Sequence, residues 1–171
     1  MNMATSRIEG SRTSWQEHHL CGSCQFLGHC RIGIRKWIEG RTACGEVSYG
    51  PEHMGGPGVI HGGWAAMVFD EVCGLVPLAH DLPPAVTRTL TVNYVKPVPI
   101  ERLLSVQARL VERRGRDLEI QGELRLGHNG TLLATATAIF TAVSTDHFDK
   151  HAAWLAAQKE APTQRSDGVG R

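Results

Sequence analysis

The chain has 171 residues, 42% of them hydrophobic, and a formal net charge of +1. That length suits one domain with a core of its own. The balance of charge and apolarity excludes a disordered chain and a basic nucleic-acid-binding surface. No apolar run approaches the roughly 20 residues that span a bilayer, and the polar stretch from Met1 to Ser14 has no apolar signal core. The expected compartment is the cytoplasm.

Residues 1–30 read as a polar extension that contains cysteines, with Cys21, Cys24 and Cys30 inside CGSCQFLGHC. The total of five cysteines is odd, which argues against a disulfide framework. Cys21-x-x-Cys24 with His29-Cys30 has the residue types of a zinc site, but the spacing is compact and no second CxxC follows. No metal and no cofactor are expected.

Residues 31–146 read as the folded domain. Ile32, Ile34 and Trp37 begin a strand, Glu39-Gly40 makes a hairpin turn, and residues 42–49 return. Residues 50–58, GPEHMGGPG, form a loop by composition. A helix is predicted over 61–79. It is apolar almost all round, so the fold should enclose it. Asp81-Leu82-Pro83-Pro84 ends it.

Three or four strands follow without another helix. In 86–95, Val86, Leu90, Val92 and Tyr94 alternate with Thr87, Thr89, Thr91 and Asn93, and Pro97 and Pro99 mark a turn or an edge. Strands over 102–113 and 117–126 flank a turn at Arg114-Gly115. Asn129-Gly130 signals the next hairpin, and 131–143 completes the meander. Residues 147–171 read as a tail with a short helix at 148–158 and a disordered end.

Strands on both sides of one apolar helix predict an α+β domain whose curved antiparallel sheet wraps that helix. The helix carries only two charges, Asp70 and Glu71, side by side in its third turn. Buried adjacent carboxylates do not serve stability, so Asp70 is a candidate general base or nucleophile. Glu71 reads as structural or solvated.

Several segments carry a resemblance: Pro51-Glu52-His53, Pro57-Gly58-Val59-Ile60-His61-Gly62-Gly63, Asp70-Glu71, Asn93-Tyr94-Val95-Lys96-Pro97-Val98-Pro99 and Ala134-Thr135-Ala136-Thr137-Ala138. In this order and spacing they resemble the hotdog fold, and within it the acyl-CoA thioesterases of the phenylacetate-pathway (PaaI-like) type, over residues 31–144. The resemblance implies that Gly62 lends its backbone N–H to the thioester carbonyl, that Asp70 is the acidic catalytic residue, and that Thr87 helps place the water. His61 joins this catalytic set, with a second reading as a loop-orienting or helix-capping residue. Gly63 and His53 are candidate substrate contacts. Arg113 and Arg116 are candidates for the phosphates of coenzyme A, which suit arginine forks, and Lys96 is a weaker one. Some relatives carry an Asn or Gln just upstream of the His-Gly pair, whereas His53-Met54-Gly55-Gly56 offers no such amide.

The chemistry fits these residues. A thioester carbonyl gains negative charge under attack, and the free N–H groups of a helix N-terminus are preorganised for it. Asp70 would activate a water or attack directly. Eight residues of helix separate Gly62 from Asp70 by about 12 Å, too far for one carbonyl carbon. Each site should therefore pair Gly62 of one subunit with Asp70 of another across a two-fold axis, in a homodimer or dimer of dimers. A hotdog domain that binds acyl thioesters as a non-catalytic sensor is the alternative. A dehydratase built on His61 and Asp70 is a third reading, against which the His-Gly-Gly context argues.

Overall fold

The computed structural model describes Cys24, residues 27–144 and residues 146–160. Strands β1 (Arg35–Glu39) and β2 (Thr42–Val47) form the first hairpin. A short 3-10 turn at Pro51–His53 leads into a two-stranded ribbon, β3 (Met54–Gly56) and β4 (Val59–Ile60). Helix α1 (Gly62–Cys73) follows, then the single turn α2 (Val76–Ala79). The long strands β5 (Ala85–Tyr94), β6 (Leu104–Arg114), β7 (Asp117–Leu126) and β8 (Leu132–Ala142) come next, and α3 (His147–Glu160) is last. Six strands make one antiparallel sheet in the order β1-β2-β6-β7-β8-β5, so β1 and β5 are its edges.

Period-two alternation decides which face of the sheet meets the helix. Val106 and Ala108, Leu118, Ile120 and Leu124, and Ala134, Ala136, Ala138 and Phe140 are all buried on the inner face, while Gln107, Arg109, Gln121, Glu123 and Thr137 point outward and are exposed. α1 lies against the inner face through Ala65, Val68, Phe69, Val72 and Cys73. Two strand glycines let it come close. A Cβ on Gly122 would sit 2.9 Å from the Phe69 ring, and one on Gly45 would sit 3.0 Å from Val72. This is the hotdog architecture, and the α+β expectation matches it.

Several local expectations are corrected. The 61–79 helix is two helices, because it breaks after Cys73 at Gly74-Leu75 and resumes as the turn that contains Pro77; His61 is its N-cap rather than its first residue. Residues 62–79 are long and apolar enough by composition to cross a membrane, contrary to the reading of the sequence. In this fold the apolar side of α1 packs on the protein's own sheet. Nor is α1 enclosed all round. Gly63 and Met67 are exposed, and Ala66 and Asp70 half-buried, on a stripe along one side. The first strand begins at Arg35, after Ile32 and Ile34, and the 50–58 loop contains the β3–β4 ribbon. The β6–β7 turn is Gly115-Arg116, with Gly115 at φ +62 in the left-handed region that such two-residue hairpins require. α3 exposes Phe148, Trp154 and Leu155.

Candidate functional site

Two places on α1 gather the predicted site residues. At the third turn, Asp70 stands on the open stripe. Thr87 of β5 donates a hydrogen bond from its hydroxyl to Asp70 Oδ1 at 2.6 Å. Strict alternation would turn Thr87 to the outer face with Thr89 and Thr91. The register shows why it does not. Thr89 pairs with Ile139 and Leu90 with Ala138, but Thr87 pairs with Phe140, so Arg88 is the extra residue of a β-bulge. The bulge puts Thr87 on the helix side with Leu90, Val92 and Tyr94, and puts Val86, opposite Thr141, on the outer side. The inner/outer assignment of Val86 and Thr87 from the sequence is thereby reversed.

The neighbouring carboxylate is occupied elsewhere. Glu71 pairs with Lys36 of β1, whose side chain is only 7% exposed. Trp64 and Glu71, seven residues apart, share a helix face. The Trp64 ring lies 5.4 Å from that of Tyr49, and burial first, then the charges of Cys30 and Glu71, push the Tyr49 hydroxyl upward. Asp70 is thus the carboxylate of the pair that lies on the open stripe. Beneath it, burial and secondarily the Asp70 charge push the Cys73 thiol up to about 12, which keeps it a neutral packing group.

At the first turn, His61 is the cap. Its Nδ1 accepts from Gly63 N–H at 3.0 Å, and its carbonyl accepts from Trp64 N–H at 2.9 Å. Its own N–H donates to the His53 carbonyl at 2.8 Å. Tyr94 of β5 donates from its hydroxyl to the Gly62 carbonyl at 2.6 Å. Among the described residues nothing accepts from the Gly62 N–H. Gly62 lines a cleft of about 320 Å³ with Val59, Ile60, Tyr94, Val95, Lys96, Pro97 and Val98. A larger hollow of about 490 Å³ lies on the outer face of the sheet around Gln107, Gln121 and Thr137, away from both places.

The His53 ring is wedged 4.6 Å from Tyr49 and 4.5 Å from Trp64, with Nδ1 3.0 Å from Glu52 Oε1. It braces the cap and is not among the residues lining the cleft. Gly63 is exposed on the open stripe, with its N–H tied to His61. A bulge after Leu110 sets Arg113 opposite Leu118 on the inner-face register, and its Nε donates to the Gly115 carbonyl at 3.1 Å. Arg116 occupies the hairpin turn. Leu118 pairs with Phe140 and Phe140 with Thr87, whereas Tyr94 pairs with Ala134 and Ala134 with Leu124. The basic hairpin is therefore at the Asp70 end of the sheet and away from the Gly62 end. Cys21 lies outside the described residues. Among those described, no three His, Cys, Asp or Glu side chains gather as metal ligands. Tyr94 and Lys36 were missed as site residues, because a strand tyrosine and a strand lysine carry no local mark of the partner they meet.

A curved sheet wrapped on one helix, with the helix N-terminus at a cleft and a hydrogen-bonded Asp in its third turn, makes this a hotdog domain. Residues 57–133 match the sequence profile of the thioesterase superfamily. The chain is 31% identical over 104 residues to the mouse acyl-coenzyme A thioesterase THEM4, covering 60% of this chain and 44% of that protein. It is 30% identical over 133 residues to the bovine THEM4, covering 78% and 54%. It thus spans about half the length of these curated relatives. Among solved structures, smu.793 of Streptococcus mutans bound to acetyl CoA superposes with a TM-score of 0.62 at 18% identity, over 68% of this chain and 93% of that one. A mutant of the phenylacetic acid degradation protein PaaI from Thermus thermophilus superposes with a TM-score of 0.59 at 19% identity, over 66% and 95%. At these identities the likeness establishes the fold.

Proposed function

We propose that this chain hydrolyses acyl-CoA, or a related acyl thioester, to the free acid and the thiol. The observation that carries the reading is the pair of prepared groups on one helix: Asp70 held by Thr87 on an open stripe, and, at a cleft, the Gly62 N–H, which has no acceptor among the described residues. The N–H polarises the thioester carbonyl and stabilises its oxyanion. Asp70 either takes a proton from the attacking water or adds to the carbonyl to form an anhydride that water then opens; both routes expel the thiolate. Names and ligands of the relatives agree with this chemistry, since THEM4 is called an acyl-CoA thioesterase and smu.793 holds acetyl CoA.

The two groups are about 12 Å apart along α1, so the active unit we infer is a homodimer or dimer of dimers. In it Gly62 of one subunit meets Asp70 of the other. The open stripe of α1 and the unpaired edge of β5 support a second copy on that side. Arg113 and Arg116, at the Asp70 end, are then placed for the phosphates of coenzyme A. Unbridged thiols at Cys30, Cys44 and Cys73 fit a reducing compartment, the cytoplasm.

The test is thiol release from short, long and aromatic acyl-CoAs by wild type and Asp70→Asn. Turnover by wild type, lowered by about 10²-fold or more in the variant, is expected for loss of the acid. Tight binding without turnover would sink the enzyme and leave an acyl-thioester sensor.

A further inference from the structure

The first turn of α1 is held by more than its own loop. Ile60 N–H donates to the Val98 carbonyl at 2.9 Å, His61 N–H to His53, and Gly63 N–H to His61 Nδ1. These bonds satisfy the residues on either side of Gly62. The Gly62 backbone itself is held from the sheet by Tyr94, whose hydroxyl reaches its carbonyl at 2.6 Å. The fit is close, since a Cβ on Gly62 would come within 3.0 Å of Tyr94 Oη and 3.2 Å of Cζ. The ring is also a wall of the 320 Å³ cleft and is 49% exposed. A half-exposed phenol would ordinarily be hydrated, and here it is turned onto one helix carbonyl.

We propose that Tyr94 is a positioning residue for the reaction: it holds Gly62 so that the free N–H keeps its aim at the thioester carbonyl, and its ring forms one side of the acyl-binding cleft. This rests on the thioesterase reading above. It assigns β5 a double task, because the strand that steadies Asp70 through Thr87 also steadies Gly62 through Tyr94. An oxyanion donor works only while preorganised. Losing the tether should thus weaken the transition state more than the ground state, and appear in kcat before KM.

The experiment compares wild type, Tyr94→Phe, Tyr94→Leu and Asp70→Asn on hexanoyl-CoA and benzoyl-CoA. Tyr94→Phe keeps the ring and removes the donor. Its kcat should fall about tenfold, a fraction of the 10²–10³ lost with a whole oxyanion donor, with KM within about twofold and the thermal midpoint nearly unchanged. Tyr94→Leu should lose kcat alike and raise KM as well. A second readout does not need turnover: the infrared carbonyl band of ¹³C-labelled benzoyl-CoA bound to Asp70→Asn. Adding Tyr94→Phe should move that band back towards its free position. If Tyr94→Phe matches wild type in kcat and leaves the band in place while Asp70→Asn is inactive, Tyr94 has no positioning role and the thioesterase reading stands. If wild type binds but does not turn over, the hydrolase reading falls, and the band alone decides on Tyr94. Failure to bind either thioester overturns both.

Discussion

Thr87 donates a 2.6 Å hydrogen bond to Asp70, and a β-bulge at Arg88 turns it toward the helix to do so. The bond fixes one carboxylate oxygen and leaves the other for a water or an acyl carbon. An acid on an open helix stripe with one oxygen held is positioned for chemistry more than for stability. Thr87→Val keeps the shape and removes the donor. We expect a kcat loss of about tenfold or more, in line with a misaligned general base, and a stability change of about 1 kcal/mol or less for a bond this exposed. Thr87→Ser should retain most of the rate. Steady-state kinetics with a parallel melting curve separate the two effects, and unchanged kcat in Thr87→Val would remove Thr87 from the mechanism.

Lys36 and Glu71 have the opposite character. The lysine side chain is 7% exposed and the glutamate 24%, so neither has much water to fall back on. Lys36→Met strands the Glu71 carboxylate and should cost about 3 kcal/mol, as breaking a buried pair does. Lys36→Met with Glu71→Leu should recover much of it, because the penalty lies in the uncompensated charge. Denaturant midpoints of the two single variants and the double variant form the cycle. Additive losses would show that the pair contributes only packing.

Alkaline pH should destabilise the chain. Burial pushes the Cys73 thiol from its ordinary 9.0 up to about 12, raises Cys44 likewise, and raises Tyr49 above its ordinary 10.0. A group whose folded pKa is raised binds its proton more tightly in the folded state. Its contribution is complete below the unfolded pKa and is lost as pH climbs through the folded one. For Cys73 that window runs from about 9 to 12, and the loss at its fullest is worth ~4 kcal/mol. Stability measured by denaturant between pH 8 and 11 should fall, and Cys73→Ala, though weaker at pH 7, should fall less steeply. Parallel slopes would remove Cys73 from the linkage.

Much of this domain is legible in the chain because it is local. A glycine pair ahead of an apolar run, adjacent carboxylates eight and nine residues past Gly62, and the Asn129-Gly130 turn signal between alternating segments are each read over a few residues, although the β7–β8 connection is longer than a two-residue turn and has its left-handed residue at Gly127. They suffice for the helix, the meander and the pairing of Gly62 with Asp70 as candidates. Side-chain partners are another matter. Thr87 meets Asp70 across 17 residues, Tyr94 meets Gly62 across 32, and Lys36 meets Glu71 across 35. Alternation records only which side of a strand is buried, and a single bulge at Arg88 reverses that record for every residue before it. Tertiary packing decided that Thr87 faces the helix, that the Tyr94 hydroxyl reaches Gly62 and that Glu71 is spoken for by Lys36. Each contact depends on how the sheet curves around α1, and that curvature is the summed outcome of all six strands, with no short segment encoding it.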